Sequence, residues 1–243
     1  QITADLKDLT ASETDILENI KMVIMPEILS KYPSVKPIYE GQNREAKKTT
    51  DSINVVGPII LLLIYIVIAF TFRSYSQPIL LIIMIPFSMI GVIWGHYFHN
   101  FPIGILSFLG IIALIGIMVN DGLVLIGKFN NFLKEGLKYD EALIKAGQSR
   151  FRAIFLTSLT TVAGLAPLIF EKSRQAQFLI PMAISIAYGI AIATILTLVM
   201  LPMMLSVSNA IKVKIKWLIT GEEITKEEVE RAIIESKFDQ DEI

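Results

Sequence analysis

The sequence predicts an α-helical polytopic membrane protein, with five transmembrane helices and a small α+β piece at the N-terminus. Three observations lead there. Of 243 residues 53% are hydrophobic, and the mean hydropathy is +0.59, more apolar than a soluble domain of this length requires. The excess is gathered into blocks near the ~20 residues that ~30 Å of hydrocarbon demands. Almost all charge falls between the blocks.

Residues 1–50 are polar. ITADL (Ile2–Leu6) suggests a short strand. Ser12 is placed to cap a helix running to about Tyr32, with apolar residues at Ile16, Ile20, Val23, Ile24, Ile28 and Leu29. Pro33 follows it, and SVKPIYEG reads as a second strand. Such a β-α-β unit is too small to bury a core alone, so it is expected to complete a larger soluble domain. GQNREAKKTTDS is expected to link it to the membrane. The chain starts at Gln1 without Met or a signal sequence and is expected to be a piece of something longer.

Five apolar spans follow, at about 53–72, 78–98, 102–127, 153–171 and 178–207. The Lys/Arg distribution gives an orientation. One side holds Arg73, Lys128, Lys134, Lys138, Lys145, Arg150, Arg152, Lys212, Lys214 and Lys216; the short loops of the other hold Lys172 and Arg174. The basic side is expected to be cytoplasmic, with residues 1–50 outside. Residues of about 129–149 read as a separate amphipathic helix on the cytoplasmic membrane surface. After residue 208 a cytoplasmic tail is expected. In it ITKEEVERAIIESKF has a capping-box start (Thr225, Glu228) and an apolar stripe of Val229, Ala232 and Ile233, and reads mainly as a solvated terminus.

The third span holds the one charge found deep in an apolar block, Asp121. A carboxylate there is costly, and chains that keep one commonly use it to move a proton, an ion or a substrate. Three readings stand: a titrating carboxyl, a neutral acid bonded to a neighbouring helix, or a group that binds substrate or a cation directly. Asn120 beside it points about 100° away and addresses a different neighbour. Lys128, seven residues on, lies near the face of Asp121. The fourth span opens with Arg150 and Arg152 and carries Thr157, Ser158, Thr160 and Thr161. Arg150, Thr157 and Gly164 repeat every seven residues on one stripe. The hydroxyls suit a proton relay beside the carboxyl and equally suit gluing helices together. The two arginines suit membrane anchoring or the relay.

Gly104, Gly110, Gly116 and Gly122, with the GxxxG of Gly91 and Gly95, predict close helix packing. His96 and His99 are expected in a short outer loop, as surface residues. No Cys is present, which excludes disulfides and thiolate chemistry. Net charge of -1 argues against nucleic-acid binding. No HExxH or GxSxG occurs, and Asp121 has no second acid in the spans, so an intramembrane hydrolase is disfavoured.

FRSYSQPILLIIMIPFSMIGVIWG, GIIALIGIMVNDGLVLIGKFNNFLKEG and EALIKAGQSRFRAIFLTSLTTVAGLAPLIF together resemble the closing membrane half of resistance–nodulation–division (RND) efflux permeases, most nearly their hydrophobe/amphiphile branch. The resemblance runs from about Gln1 to Ser208, and R-x-R-x-I-x-x-T-S is its most specific motif. It implies helices eight to twelve of a twelve-helix, proton-driven multidrug antiporter in the inner membrane of a Gram-negative bacterium. Such a permease is a trimer working with its own N-terminal half, a periplasmic adaptor and an outer-membrane channel, without a cofactor. Residues 1–50 would end the periplasmic porter domain. Thr157, Arg150 and Arg152 match helix-eleven positions, and Thr157 is the one tied to the relay. The chain departs from the pattern where the family commonly has Lys and this sequence has Asn120, and where Gly127 and Lys128 replace an acid. Asp121, Asn120, Thr157, Arg150, Ser158 and Thr160 are therefore the expected relay residues. A non-transporting structural subunit is the alternative.

Overall fold

The computed structural model describes residues 13–34, 36–38 and 42–234. Its helices are α1 (Glu13–Asn19), α2 (Met25–Lys31), α3 (Gln42–Phe72), α4 (Ser76–His99), α5 (Ile105–Lys134), α6 (Tyr139–Ile169), α7 (Arg174–Gln177), α8 (Ile180–Ile195) and α9 (Leu201–Thr220). Five helical stretches are long and apolar enough to cross a bilayer: 51–72, 76–99, 105–134, 139–169 and 180–220. The five expected spans are all present, and the helical membrane class stands.

The helix expected after Ser12 forms over residues 13–31, with a wide π turn at Ile20–Ile24. A second π turn, Leu196–Met200, joins α8 to α9. Both end two residues before a proline, Pro26 and Pro202. Proline lacks an N–H and its ring crowds the carbonyl four residues back. The chain answers by widening: Met25 N–H bonds Ile20 O and Leu201 N–H bonds Leu196 O, one residue further than the α register.

Three expectations need correction. The strand expected at Ile2–Leu6 lies outside the described residues, and Lys36–Ile38 of the second strand form no strand. The expected linker is not a loop, because residues 42–52 are helical and continue into the first span as α3. No separate amphipathic helix occupies about 129–149. Leu125, Phe129 and Leu133 keep an i, i+4 apolar face buried to the end of α5. The chain then turns at Gly136, whose positive φ of 86° suits a residue without a Cβ, and restarts directly as α6.

Short connections make consecutive spans antiparallel. One end of the bundle gathers the α4–α5 loop and the α6–α8 connection. The other gathers the α3–α4 turn, the α5–α6 turn and the chain after α9. α8 is the hub and packs against α4, α5 and α6. Its small buried residues, Ala183, Ala187, Gly189 and Ala193, permit that. Between membrane helices such close approach yields dispersion contacts rather than hydrophobic gain. The expected GxxxG works here: a Cβ on Gly91 would strike the Tyr188 carbonyl, and one on Gly95 the Tyr188 ring. Gly110 meets Met182 O at 2.7 Å from an ideal Cβ, and Gly122 meets Leu81. Gly104 and Gly116 face open space, so only half of the six-residue series serves packing. α3 stands apart, touching α4 and α5 with little of its surface.

The tail is not a solvated terminus. Residues 224–234 fold back onto the basic end of the bundle. Glu230 is 3% exposed, accepts a hydrogen bond from Asn209 Nδ2 at 2.8 Å and pairs with Lys212 Nζ at 3.2 Å. Glu227 Oε1 accepts the Tyr139 N–H at 2.7 Å, and Lys226 pairs with Asp140 at 2.7 Å. Ala232, from the expected apolar stripe, is buried, and Ile233 packs on the core. Half of the expected capping box is present, with the Thr225 N–H donating to Glu228.

Candidate functional site

α5 presents Ile112, Gly116, Asn120 and Val124 as an exposed i, i+4 stripe, with Asp121 half-buried at its margin. Among the described residues Asp121 makes no hydrogen bond or ion pair. Lys128 does not reach toward it; its ammonium lies over the Phe132 ring, 4.3 Å from the centroid. α6 returns antiparallel beside α5 after the turn at 135–138. Counting residues from that turn sets Asp121 level with Arg152 and Ala153, and Thr157 about 6–8 Å further along the axis.

Thr157 and Thr160 are exposed. Thr157 Oγ1 donates to Ala153 O at 2.9 Å, and Thr160 Oγ1 to Leu156 O and Thr157 O, both at 2.9 Å. Thr161 Oγ1 donates to Thr157 O at 2.8 Å. With their protons committed to the helix, these hydroxyls offer outward lone pairs. Arg152 is exposed. Arg150 is half-buried, and its Nε is buried with no partner among the described residues. Among the described residues, Asn120, Thr157 and Thr160 are thus exposed on two adjacent helices, with Asp121 and Arg150 half-buried.

Ser158 does not belong with them. It is buried against α8, where Thr194 Oγ1 donates to its Oγ while its own proton goes to Ile154 O. Ser158 is helix glue, one of the two readings its type allowed.

Other buried polar groups were missed from the sequence. Gln77 and Asn130 form a reciprocal amide pair between α4 and α5, Nε2 donating to Oδ1 at 2.9 Å and Nδ2 to Oε1 at 3.1 Å. The only sequence signal was an amide beside an apolar run, which also fits a membrane-surface residue. The histidine expectation is corrected too: His96 lies in the last turn of α4, 3% exposed, bonded across to Ser185 of α8. His99 bonds the Tyr188 hydroxyl at 3.0 Å. Among the described residues no group of His, Asp and Glu is arranged to hold a metal ion.

The sequence model of the AcrB/AcrD/AcrF family matches residues 10–208. The chain is 31% identical over 146 residues to the swarming motility protein SwrC of Bacillus subtilis, covering 60% of this chain and 14% of that protein. It is 29% identical over 164 residues to the cobalt-zinc-cadmium resistance protein CzcA of Cupriavidus metallidurans, covering 68% of this chain and 15% of CzcA. It is 26% identical over 155 residues to the multidrug resistance protein MdtC of Erwinia amylovora, covering 63% and 15%. The fold is similar to a crystal structure of a heavy metal efflux pump, with a TM-score of 0.64, 24% identity, and coverage of 79% of this chain and 19% of that one. The chain therefore spans about one seventh of the length of these curated relatives. The family match takes in all five membrane spans except the end of the last, and the chain belongs to the AcrB/AcrD/AcrF family of RND permeases.

Proposed function

We propose that this chain supplies the closing membrane helices of a proton-driven efflux permease, in which Asp121 binds and releases the coupling proton. The observation that supports it most is the placement of Asp121. It is a half-buried carboxyl on a membrane-spanning helix, without a hydrogen bond or ion pair among the described residues, next to exposed Asn120 and beside α6 with its exposed Thr157 and Thr160. Lipid would leave the Asp121 carboxyl and the Asn120 amide unsatisfied, at several kcal/mol each, whereas the two threonines already bond their own helix. Packing against the first half of the permease would bury them together with whatever acids that half presents. Two carboxyls brought together in a low dielectric do not both ionise, so the pair holds a proton and yields it when helices shift. Asn120 holds no charge of its own; it supplies a donor and an acceptor. Arg150 supplies the compensating cation. Ser158 stays outside the relay.

In this reading the basic end of the bundle is cytoplasmic and residues 1–41 belong to the outer, substrate-handling part. The exposed Val23, Ile24 and Ile28 of the N-terminal helices suit burial in that part. The relatives are variously named for metal resistance, drug resistance and swarming motility, so the proposal concerns energy coupling and leaves the cargo to the soluble domain. The trimer, the adaptor and the outer channel follow from the family resemblance.

Asp121→Asn in the complete permease, reconstituted in proteoliposomes, tests this. Substrate-dependent proton flux should fall at least about tenfold, equivalent to ~1.4 kcal/mol, with assembly retained. Unchanged flux would reduce Asp121 to a packing residue.

A further inference from the structure

At the end of the bundle opposite the basic one, a second proton-responsive group lies outside the Asp121 surface. His96 Nδ1 is 3.0 Å from the Phe101 carbonyl, and Nε2 is 3.0 Å from Ser185 Oγ. Ser185 Oγ is in turn 3.0 Å from the Pro181 carbonyl. His96 and Ser185 are both almost fully buried, at 3% and 0% exposure. A carbonyl only accepts, so Nδ1 carries a hydrogen in every state that keeps the first bond. The serine has one proton and two places to send it.

We propose that His96, Ser185 and the carbonyls of Phe101 and Pro181 form a proton-binding site at the α4–α8 interface, in which proton uptake reverses the direction of the Ser185 hydroxyl bond. In the neutral state Nδ1–H donates to Phe101 O and the Ser185 hydroxyl donates to Nε2. Pro181 O keeps the helical bond from the Ser185 N–H. One proton arriving from the adjacent aqueous face adds to Nε2. Nε2–H then donates to Ser185 Oγ, and the hydroxyl rotates to Pro181 O. One N–H bond forms as one O–H bond of the delivering hydronium ion breaks to leave water, no bond within the protein breaks, and neither state leaves a buried donor without an acceptor. The charged state ties α4 to α8 more tightly, because a hydrogen bond from a cation is roughly twice as strong as a neutral one.

The surroundings support this assignment. On α4 the nearby titratable groups are His99 and Tyr97, and on α8 Tyr188, whose hydroxyl bonds His99. α4, α8 and α5 before Asp121 contain no Asp, Glu, Lys or Arg. The α6–α8 connection, at the same end, carries Glu171, Lys172 and Arg174. Glu171 accepts the N–H groups of Ser173 and Lys172 at 2.9 Å, which hold its carboxyl below its ordinary range, so it stays ionised where an imidazole titrates. No described carboxylate pairs with His96, and the two acceptor contacts alone must satisfy the cation. Gly91 and Gly95 admit Tyr188 against α4 and keep α8 close enough for the Ser185 contact.

The test is residue-specific histidine C2 hydrogen–deuterium exchange, read by mass spectrometry on the complete permease in nanodiscs across pH 4.5–9. His96 should show an inflection in that range. Ser185→Ala should move the inflection toward acid by about half a unit or more, because the charged ring then has a buried N–H without an acceptor. Ser185→Thr, which keeps the hydroxyl, should restore it. Tyr188→Phe, which removes only the hydroxyl bonded to His99, and Asp121→Asn should leave it in place. A rate without an inflection, or an inflection indifferent to Ser185→Ala, would overturn the site. Because Asp121→Asn is read separately, failure here leaves the relay proposal standing, and the reverse also holds.

Discussion

Asp121 was legible in the sequence because a charge in a long apolar run is rare for an energetic reason. Gly91 and Gly95 were legible for a steric one, and both were found against Tyr188. Residues whose role depends on a partner far along the chain were not legible. Gln77 and Asn130 are 53 positions apart and His96 and Ser185 are 89 apart, so no local pattern joins them. Ser158 and Thr157 are neighbours of similar type, yet one faces α8 and the other faces outward. Only tertiary packing separates them. It follows that Ser158→Ala should cost about 0.6–1.7 kcal/mol of stability and leave coupling intact, since it loses one interhelical bond. Gln77→Leu should cost about 1–3 kcal/mol by stranding the buried Asn130 amide. The double variant Gln77→Leu, Asn130→Leu should recover most of that loss. Thermal melting in detergent, compared across the single and double variants, checks all three.

At the scale of elements, helix positions were readable from apolar block length, and their ends were less so. α5 outruns the expected third span because Phe129 and Leu133 keep a buried face well past Asp121. α6 begins well before its apolar part for a different reason. The Lys138 carbonyl starts the helix by accepting the Ala142 N–H at 2.8 Å, and Tyr139 is anchored by Glu227 from the tail. That anchor lies in residues outside the family match, where a solvated terminus was the simpler expectation. The buried Asn209–Glu230–Lys212 cluster shows why the expectation failed: charges buried together signal a docked segment, and nothing in the local sequence states the docking. Glu230→Ala removes the carboxylate partner of Lys212 and one of the two acceptors of the Asn209 amide, whose other bond goes to Lys226 O, and should lower stability by about 1–3 kcal/mol. Limited proteolysis near residue 221 should accelerate in that variant. Equal cleavage in both proteins would mean that the clasp is not closed in the membrane.

At the scale of the molecule, the chain leaves two kinds of surface uncovered. The membrane part of α3, residues 53–72, offers an almost wholly apolar one, which lipid satisfies. α5 exposes the Asn120 amide beside the half-buried Asp121 carboxyl, which lipid does not satisfy, while the exposed Thr157 and Thr160 of α6 bond their own helix. A polar membrane face implies a protein neighbour, and in the proposed function the first half of the permease is that neighbour. A cysteine at Thr157 should therefore react with a maleimide at least about tenfold more slowly in the complete permease than one at exposed Tyr97 in the last turn of α4.

The central claim is that the Asp121 carboxyl changes protonation during transport. Infrared difference spectroscopy on the complete permease in proteoliposomes, with and without an imposed pH gradient, addresses it most directly. The account predicts a protonated-carboxyl band that appears and disappears with the gradient and is absent from Asp121→Asn. A spectrum in which that group keeps one ionisation state while export proceeds would contradict it.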